Sequence, residues 1–252
     1  MRADKFFAEK FGSRTKAKES LEKRYVLRAG KPLSPKDEVC EGETFTFLSP
    51  QSFLSNGGYK LERGLSVFGE SAEGLVFADL GASTGGFTDC LLQRGAKRVY
   101  CVDVGESLLH PSIAADDRVR VMDRTNARYL NEESFPEPID CVVSDLSFIS
   151  LRLVLGAVYR ILPQAGKAFV LFKPQFECGG AGLGKSGILP QRYHAALLRD
   201  FYAFCVNMDL APCNIVNAPL REKKNIEYII YLKKGGVPIP EWEFISKVST
   251  VY

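Results

Sequence analysis

From about residue 75 onward, short apolar runs alternate with stretches in which apolar residues recur every three or four positions. The runs read as buried strands and the periodic stretches as helices with one face turned inward. On this pattern strands are predicted over 75–79, 98–103, 118–122, 139–144, 167–172, 211–217 and 225–232, and helices over 85–94, 126–132, 150–161 and 191–206. Strands separated by helices build a mostly parallel sheet covered on both faces, an α/β fold. The last two strands have no helix between them, so one of the pair is expected to run antiparallel at the end of the order.

The first fifty residues follow another pattern. Phe6, Phe7 and Phe11 form an apolar stripe near helical spacing, Gly12-Ser13 breaks it, and Ser13 is placed to cap a second helix in RTKAKESLEKR. Tyr25-Val26-Leu27, a turn at Gly30-Lys31-Pro32, and Glu43 to Phe47 read as small strands with their connections. Residues 1–50 are therefore expected to form a small α+β domain, too short for a large core of its own. Ser, Pro, Asn and Gly mark 51–62 as a linker, with a helix starting near Tyr59, and 63–252 form the main domain.

Charge sharpens this division. Residues 1–36 hold eleven Lys/Arg against four Asp/Glu, and the remainder 22 against 26. A basic head on a slightly acidic body suits an anionic polymer; a merely solvated surface is the plainer alternative. Seven cysteines form no C-x-x-C pair and several lie in apolar runs, so neither a disulfide frame nor a metal site is expected. No apolar run reaches the length of a membrane span, and MRADKFFAEKFG lacks the apolar core of a secretion signal. These features together predict a reduced, cytoplasmic protein without membrane contact.

Candidate chemistry begins in VFADLGASTGGFTDCLL, residues 76–92, a strand that meets a glycine turn and then a helix. Such a turn at the carboxyl edge of a parallel sheet is where nucleotide-like ligands are held. Its spacing, Asp-x-Gly-x-x-x-Gly-Gly-Phe, is not the dinucleotide fingerprint. It resembles the first motif of methyltransferases that use S-adenosylmethionine. The resemblance implies that Asp79, Gly81, Ser83, Thr84, Gly85, Gly86 and Phe87 form a cofactor site; an ordinary βα turn is the alternative. Asp103 ends the second strand, where an acid can accept both ribose hydroxyls of a nucleoside. Asp123 ends the third and is a candidate for the adenine pocket. For both, the competing role is a helix N-cap.

Lys60, Asp145, Lys173 and Glu227 stand out by position. Asp145 follows IDCVVS, Lys173 follows AFVLF, and Glu227 interrupts the apolar run NIEYIIYL. Charges at the ends of apolar strands are costly unless paired or used. A Lys–Asp–Lys–Glu set suits methyl transfer to a ribose 2′-hydroxyl, a poor nucleophile at neutral pH. A lysine there can take its proton or stabilise the developing oxyanion, with carboxylates to orient it. Each residue alone is better read as half of a structural ion pair than as a catalyst; together, at matching topological positions, they favour catalysis.

Two resemblances cover nearly the whole chain, about residues 2 to 235. SDLSFISL (144–151), LFKPQFE (171–177), SNGGYKL (55–61) and KNIEYIIYL (224–232) closely resemble the TlyA family, also filed as haemolysin A, whose catalytic domain is of the FtsJ type. This resemblance implies a Rossmann-like class I methyltransferase with a seven-stranded sheet. It also implies S-adenosylmethionine as cofactor and 2′-O-methylation of cytidines in ribosomal RNA. Lys173 would then be the central catalytic lysine, Asp145 and Glu227 would orient it, and Lys60 would complete the set. The family's usual Ser-Arg-Gly-Gly has Asn56 in place of arginine here. The head resembles the small S-four-type RNA-binding domain through Arg2-x-Asp4, Ser13-Arg14 and VLRAGK (26–31). That implies Arg14, Lys16, Lys18, Arg28 and Lys31 as contacts to ribosomal RNA or a ribosomal subunit, phosphate contacts that give affinity but little sequence choice.

GGAGLGKS, 179–186, matches the P-loop pattern, yet KPQFEC separates it from its strand and Gly187 to Pro190 cannot open a helix. A mobile loop with Lys185 on RNA phosphate is the better reading. His110 and His194 carry no sign of catalysis, His194 being expected at the surface or a cap. Trp242 and the tail are expected to pack on the body. Two rival functions remain: a membrane-lytic haemolysin, and an RNA-binding ribosome-assembly factor without catalysis.

Overall fold

The computed structural model describes residues 1–22, 26–28, 31–47, 53–184, 186–221 and 223–249. The chain divides into two compact units, Met1–Ser52 and Phe53–Tyr252. In the smaller unit, helices α1 (Ala3–Phe6) and α2 (Arg14–Glu22) precede strands β1 (Val26–Arg28), β2 (Lys31–Pro32) and β3 (Phe45–Phe47), which form an antiparallel sheet in the order β2-β1-β3. Ser13 caps α2 as its position predicts, its Oγ accepting from the Lys16 N–H (3.2 Å). Phe7, Ala17, Leu21, Val26, Leu33 and Val39 make a small core. Beneath them Asp4 is buried, accepting from Arg2 Nε (3.1 Å) and Arg14 Nε (2.9 Å). Burial raises the Asp4 pKa, but the two guanidiniums outweigh it and hold the carboxyl below its ordinary value. Tyr25, Ala29, Gly30 and Lys185, named above, lie outside the described residues.

The larger unit opens with α3 (Asn56–Phe68), so residues 56–62 are helical rather than linker. Ser55 sets the start, its Oγ accepting from the Gly57 N–H (3.2 Å). There follow β4 (Val76–Leu80), α4 (Gly86–Gln93), β5 (Arg98–Val102), α5 (Pro111–Ala114), β6 (Val119–Met122), β7 (Cys141–Ser144) and α6 (Arg152–Ile161). The chain continues through β8 (Lys167–Phe172), α7 (Pro174–Glu177), α8 (His194–Asn207), β9 (Leu210–Asn217), β10 (Tyr228–Lys234) and α9 (Glu241–Ser249). The expected helix at 126–132 is instead two short 3-10 turns, Ala127–Tyr129 and Glu132–Ser134. Asn126 caps the first through its side chain, and Asn131 closes a capping box over the second, so the segment restarts before an α-helix can propagate.

The sheet is seven-stranded, in the order β6-β5-β4-β7-β8-β10-β9. β10 runs antiparallel to both neighbours and lies inside the sheet, not at its end as expected. Pro212 explains the choice: a strand carrying a residue without an N–H belongs at an edge, and β9 takes that place. Both faces are covered. Val76, Ala78 and Leu80 of β4 point to the side of α6, α8 and α9, while Phe77 points to that of α3 and α4. Such double burial makes these strands continuous apolar runs. In α9, Phe244, Ile245 and Val248 pack inward, but Trp242 is 72% exposed, contrary to expectation. Among the described residues no helix is long and apolar enough to cross a membrane.

Candidate active site

Strand register brings the charged residues together. Tyr228 of β10 pairs with Phe172 of β8, so Glu227 and Lys173, one residue beyond each, meet at the same edge. Ser144 pairs with Val170 and with Leu80, which puts Asp145 and the glycine turn at that edge too. Lys60 arrives from α3, one turn before Gly64. A Cβ at Gly64 would stand 2.8 Å from Ile229 Cγ2, so glycine lets α3 close onto β10.

These four residues form one network. Lys173, only 6% exposed, pairs with Asp145 Oδ1 (2.6 Å) and donates to Ser147 Oγ (2.8 Å). Lys60 Nζ lies 3.4 Å from Asp145 Oδ2 and 2.7 Å from Glu227 Oε2. Glu227 thus pairs with Lys60 and not, as expected, with Lys173. Together with Ser147 the four line a polar cavity of about 320 Å³. An ammonium has three donors; Lys173 gives one to Ser147 Oγ and faces Asp145 Oδ1 as an ion pair outside hydrogen-bond geometry, so donor capacity is left for the cavity.

The glycine turn forms the opposite wall. Gly81 (φ +86°) and Gly85 (φ +91°) are left-handed, and Ser83 joins them at φ +47°. The positive φ at Gly81 calls for glycine, and a Cβ there would also crowd the Asp145 carbonyl at 3.2 Å. Ser83, Thr84, Gly86 and Phe87 line the same cavity. A second cavity, of about 580 Å³, shares Gly81, Ser83, Asp145 and Ser147 with the first and continues between Asp103 and an apolar wall of Val104, Leu108, Leu146 and Phe148. Asp103 accepts from the backbone N–H of Ser83 and of Gly105, both at 2.9 Å. Each carboxylate oxygen keeps a further lone pair for a ligand hydroxyl.

Two expected cofactor residues lie elsewhere. Asp123 does not line either cavity; its Oδ2 accepts from the Ser107 N–H (2.9 Å) in the loop after β5, a loop contact rather than the helix N-cap weighed for it. Asp79 is fully buried below the turn, its Oδ2 accepting from Thr88 Oγ1 (2.7 Å) while Oδ1 meets no donor. Burial, partly countered by Thr88, pushes its pKa up to about 7.

The sequence reading passed over three supporting residues. Ser147 and Glu177 lie inside the quoted blocks SDLSFISL and LFKPQFE. Glu177, its side chain 2% exposed, accepts from Ser150 Oγ (2.6 Å) and the Leu151 N–H (2.7 Å). His194 is buried, not at the surface; its Nε2 lies 3.2 Å from the Leu189 carbonyl and its Nδ1 2.8 Å from the Tyr228 hydroxyl. The carbonyl must accept, so Nε2 carries the proton and the tyrosine donates to Nδ1. Burial lowers the His194 pKa, in keeping with this neutral form.

In the head, Arg14 is engaged with Asp4, Lys18 with Glu22 (3.7 Å) and Arg28 with Glu43 (3.1 Å), while Lys16 and Lys31 are exposed.

A glycine turn over a nucleoside-sized cavity, on a seven-stranded sheet whose one antiparallel strand is the second from its edge, defines a class I methyltransferase fold. The sequence profile of FtsJ-like methyltransferases matches residues 53–234, and the chain belongs to that family. It is 39% identical to the 16S/23S rRNA (cytidine-2′-O)-methyltransferase TlyA of Mycobacterium tuberculosis, over 70% of this chain and 67% of that protein. A protein described as a hemolysin from Streptococcus thermophilus superposes with a TM-score of 0.72 at 34% identity, covering 98% of this chain and 94% of that one. An S-adenosylmethionine-dependent methyltransferase from Listeria monocytogenes shares the fold alone, with a TM-score of 0.53 at 16% identity over 71% of this chain and 98% of that one.

Proposed function

We propose that this chain methylates the ribose 2′-hydroxyl of cytidine in ribosomal RNA, with S-adenosylmethionine as donor. The observation that carries the reading is the Lys173–Asp145–Lys60–Glu227 network at the mouth of the cavity beside the glycine turn. The donor fits what these residues offer: Asp103 for ribose hydroxyls, an apolar slot for a base, and a turn whose missing Cβ leaves room. When bound, S-adenosylmethionine supplies an electrophilic methyl group. Lys173 uses a free N–H to hold the substrate hydroxyl and to stabilise the negative charge on its oxygen as the hydroxyl proton passes to solvent water. Asp145 and Ser147 fix that lysine, and Glu227 fixes Lys60, so that two cations face the reacting oxygen. The basic head, through Arg14, Lys16, Lys18, Arg28 and Lys31, would bind ribosomal RNA or a ribosomal subunit in the manner of an S-four-type domain.

The test is transfer of labelled methyl to ribosomal subunits, with 2′-O-methylcytidine identified by mass spectrometry. Lys173→Ala should lower kcat by about 10²–10⁴-fold and leave donor affinity unchanged in calorimetry. Full activity in that variant would refute the proposed role.

A further inference from the structure

Beyond Lys60 and Glu227, on the side away from the glycine turn, lies a second polar cleft of about 140 Å³. Gln175 of α7 forms one wall, and Arg221, Lys224 and Asn225 of the β9–β10 connection form the other. The connection is anchored. Its base is closed by the Ala218 N–H on the Glu227 carbonyl (2.8 Å), and Asn225 accepts from the Leu189 N–H (2.8 Å) and donates to the Gly187 carbonyl (2.9 Å). The Lys224 N–H reaches the Arg221 carbonyl (3.3 Å), a tight turn that sets both cations on one rim.

Among the described residues neither cation is matched by an acid. Arg94, Arg118 and Arg124 each pair with a carboxylate, but no carboxylate among the described residues pairs with Arg221 or Lys224, and both are exposed. Gln175 Oε1 likewise meets no donor. Glu227, the acid on the boundary, is already matched by Lys60 at 2.7 Å. Two unmatched cations over a polar cleft select an anion and reject a metal ion or an apolar group.

We propose that this cleft seats the backbone phosphate attached to the ribose being methylated, bound by Arg221 and Lys224. The assignment rests on the 2′-O-methylation reading. The carbon bearing the 3′-phosphate is bonded to the carbon bearing the 2′-oxygen, so a hydroxyl held at Lys173 forces its phosphate into the adjoining space. The cleft shares Lys60 and Glu227 with the catalytic cavity, which is the adjacency that this covalent link demands.

Arg221→Ala/Lys224→Ala in the full chain tests the assignment, with methyl transfer to ribosomal subunits followed across a range of KCl concentrations. The KM for RNA should rise about tenfold or more, and the slope of log affinity against log salt should flatten by about one phosphate contact. Donor affinity should stay at the wild-type value, which also reports that the variant is folded. The charge-preserving exchange Arg221→Lys/Lys224→Arg should restore most of the affinity. Unchanged KM and salt slope would overturn the proposal, as would a loss confined to kcat. If the wild-type chain itself transfers no methyl to RNA, the reaction reading fails, and direct RNA titration of the same variants still decides the cleft.

Discussion

Lys173 and Asp79 are both buried ionisable residues at the carboxyl ends of β8 and β4, with β7 between them, yet they do different work. Lys173 has partners and a donor to spare, whereas Asp79 has one hydroxyl and an orphan oxygen. An acid whose pKa is raised in the fold binds its proton more tightly there than in the unfolded chain. Its contribution to stability is therefore present at low pH and is lost as pH rises from about 4 to about 7. Asp79→Asn should remove this decline, visible as a flatter Tm-against-pH curve over that window; an unchanged slope would mean that Asp79 is ionised in the fold. The charged strand ends were legible in the sequence because an unused charge there is expensive. The fate of each aspartate was not. Asp103 and Asp123 end adjacent strands in the same way, and only loop geometry makes one a cavity wall and the other a tie to the Ser107 backbone.

At the scale of elements, Lys173 and Asp145 sit on two neighbouring segments that Glu177 also ties together. The loop from Asp145 to Ser150 carries Asp145 and Ser147, and it holds Phe148 at φ +64° with the ring 91% exposed. One end is fixed by β7 and the other by Glu177, which grips Ser150 and Leu151 from α7. Strained backbone of this kind persists only where its surroundings over-determine it. Glu177→Gln offers one acceptor where two donors point, so it should lower kcat while leaving donor affinity nearly intact, at a stability cost of about 1–3 kcal/mol. Comparing kcat, KM and urea midpoint separates lost positioning from simple unfolding. The strands and long helices were legible from apolar periodicity, and Pro212 was a sign, unused, that β9 would be the edge. The short turns near Asn126 and Asn131 imitate a helical period over too few residues to be told apart.

For the molecule as a whole, composition already divided a basic head from a catalytic body, and the two compact units divide close to the same place. What composition could not show is that several head cations are matched by acids within the head, while among the described residues no acid pairs with Lys16 or Lys31. If the head supplies RNA affinity, removing residues 1–47 should weaken binding to ribosomal subunits and flatten its salt dependence. Affinity for the methyl donor, which belongs to the body, should not change. Equal RNA affinity with and without the head would assign recognition to the body alone.

The placement of β10 between β8 and β9 also bears on how the protein is made. Residues 60, 145, 173 and 227 come from well-separated parts of the chain, and the last of them emerges from the ribosome only after most of the body has been synthesised. Until β10 emerges, β8 presents an open hydrogen-bonding edge made of Ala168, Phe169, Val170 and Leu171, the kind of surface that pairs with stray strands. A nascent or prematurely terminated chain ending before Tyr228 should therefore aggregate more readily than the finished one, because the strand that covers this edge is the last of the sheet to be made.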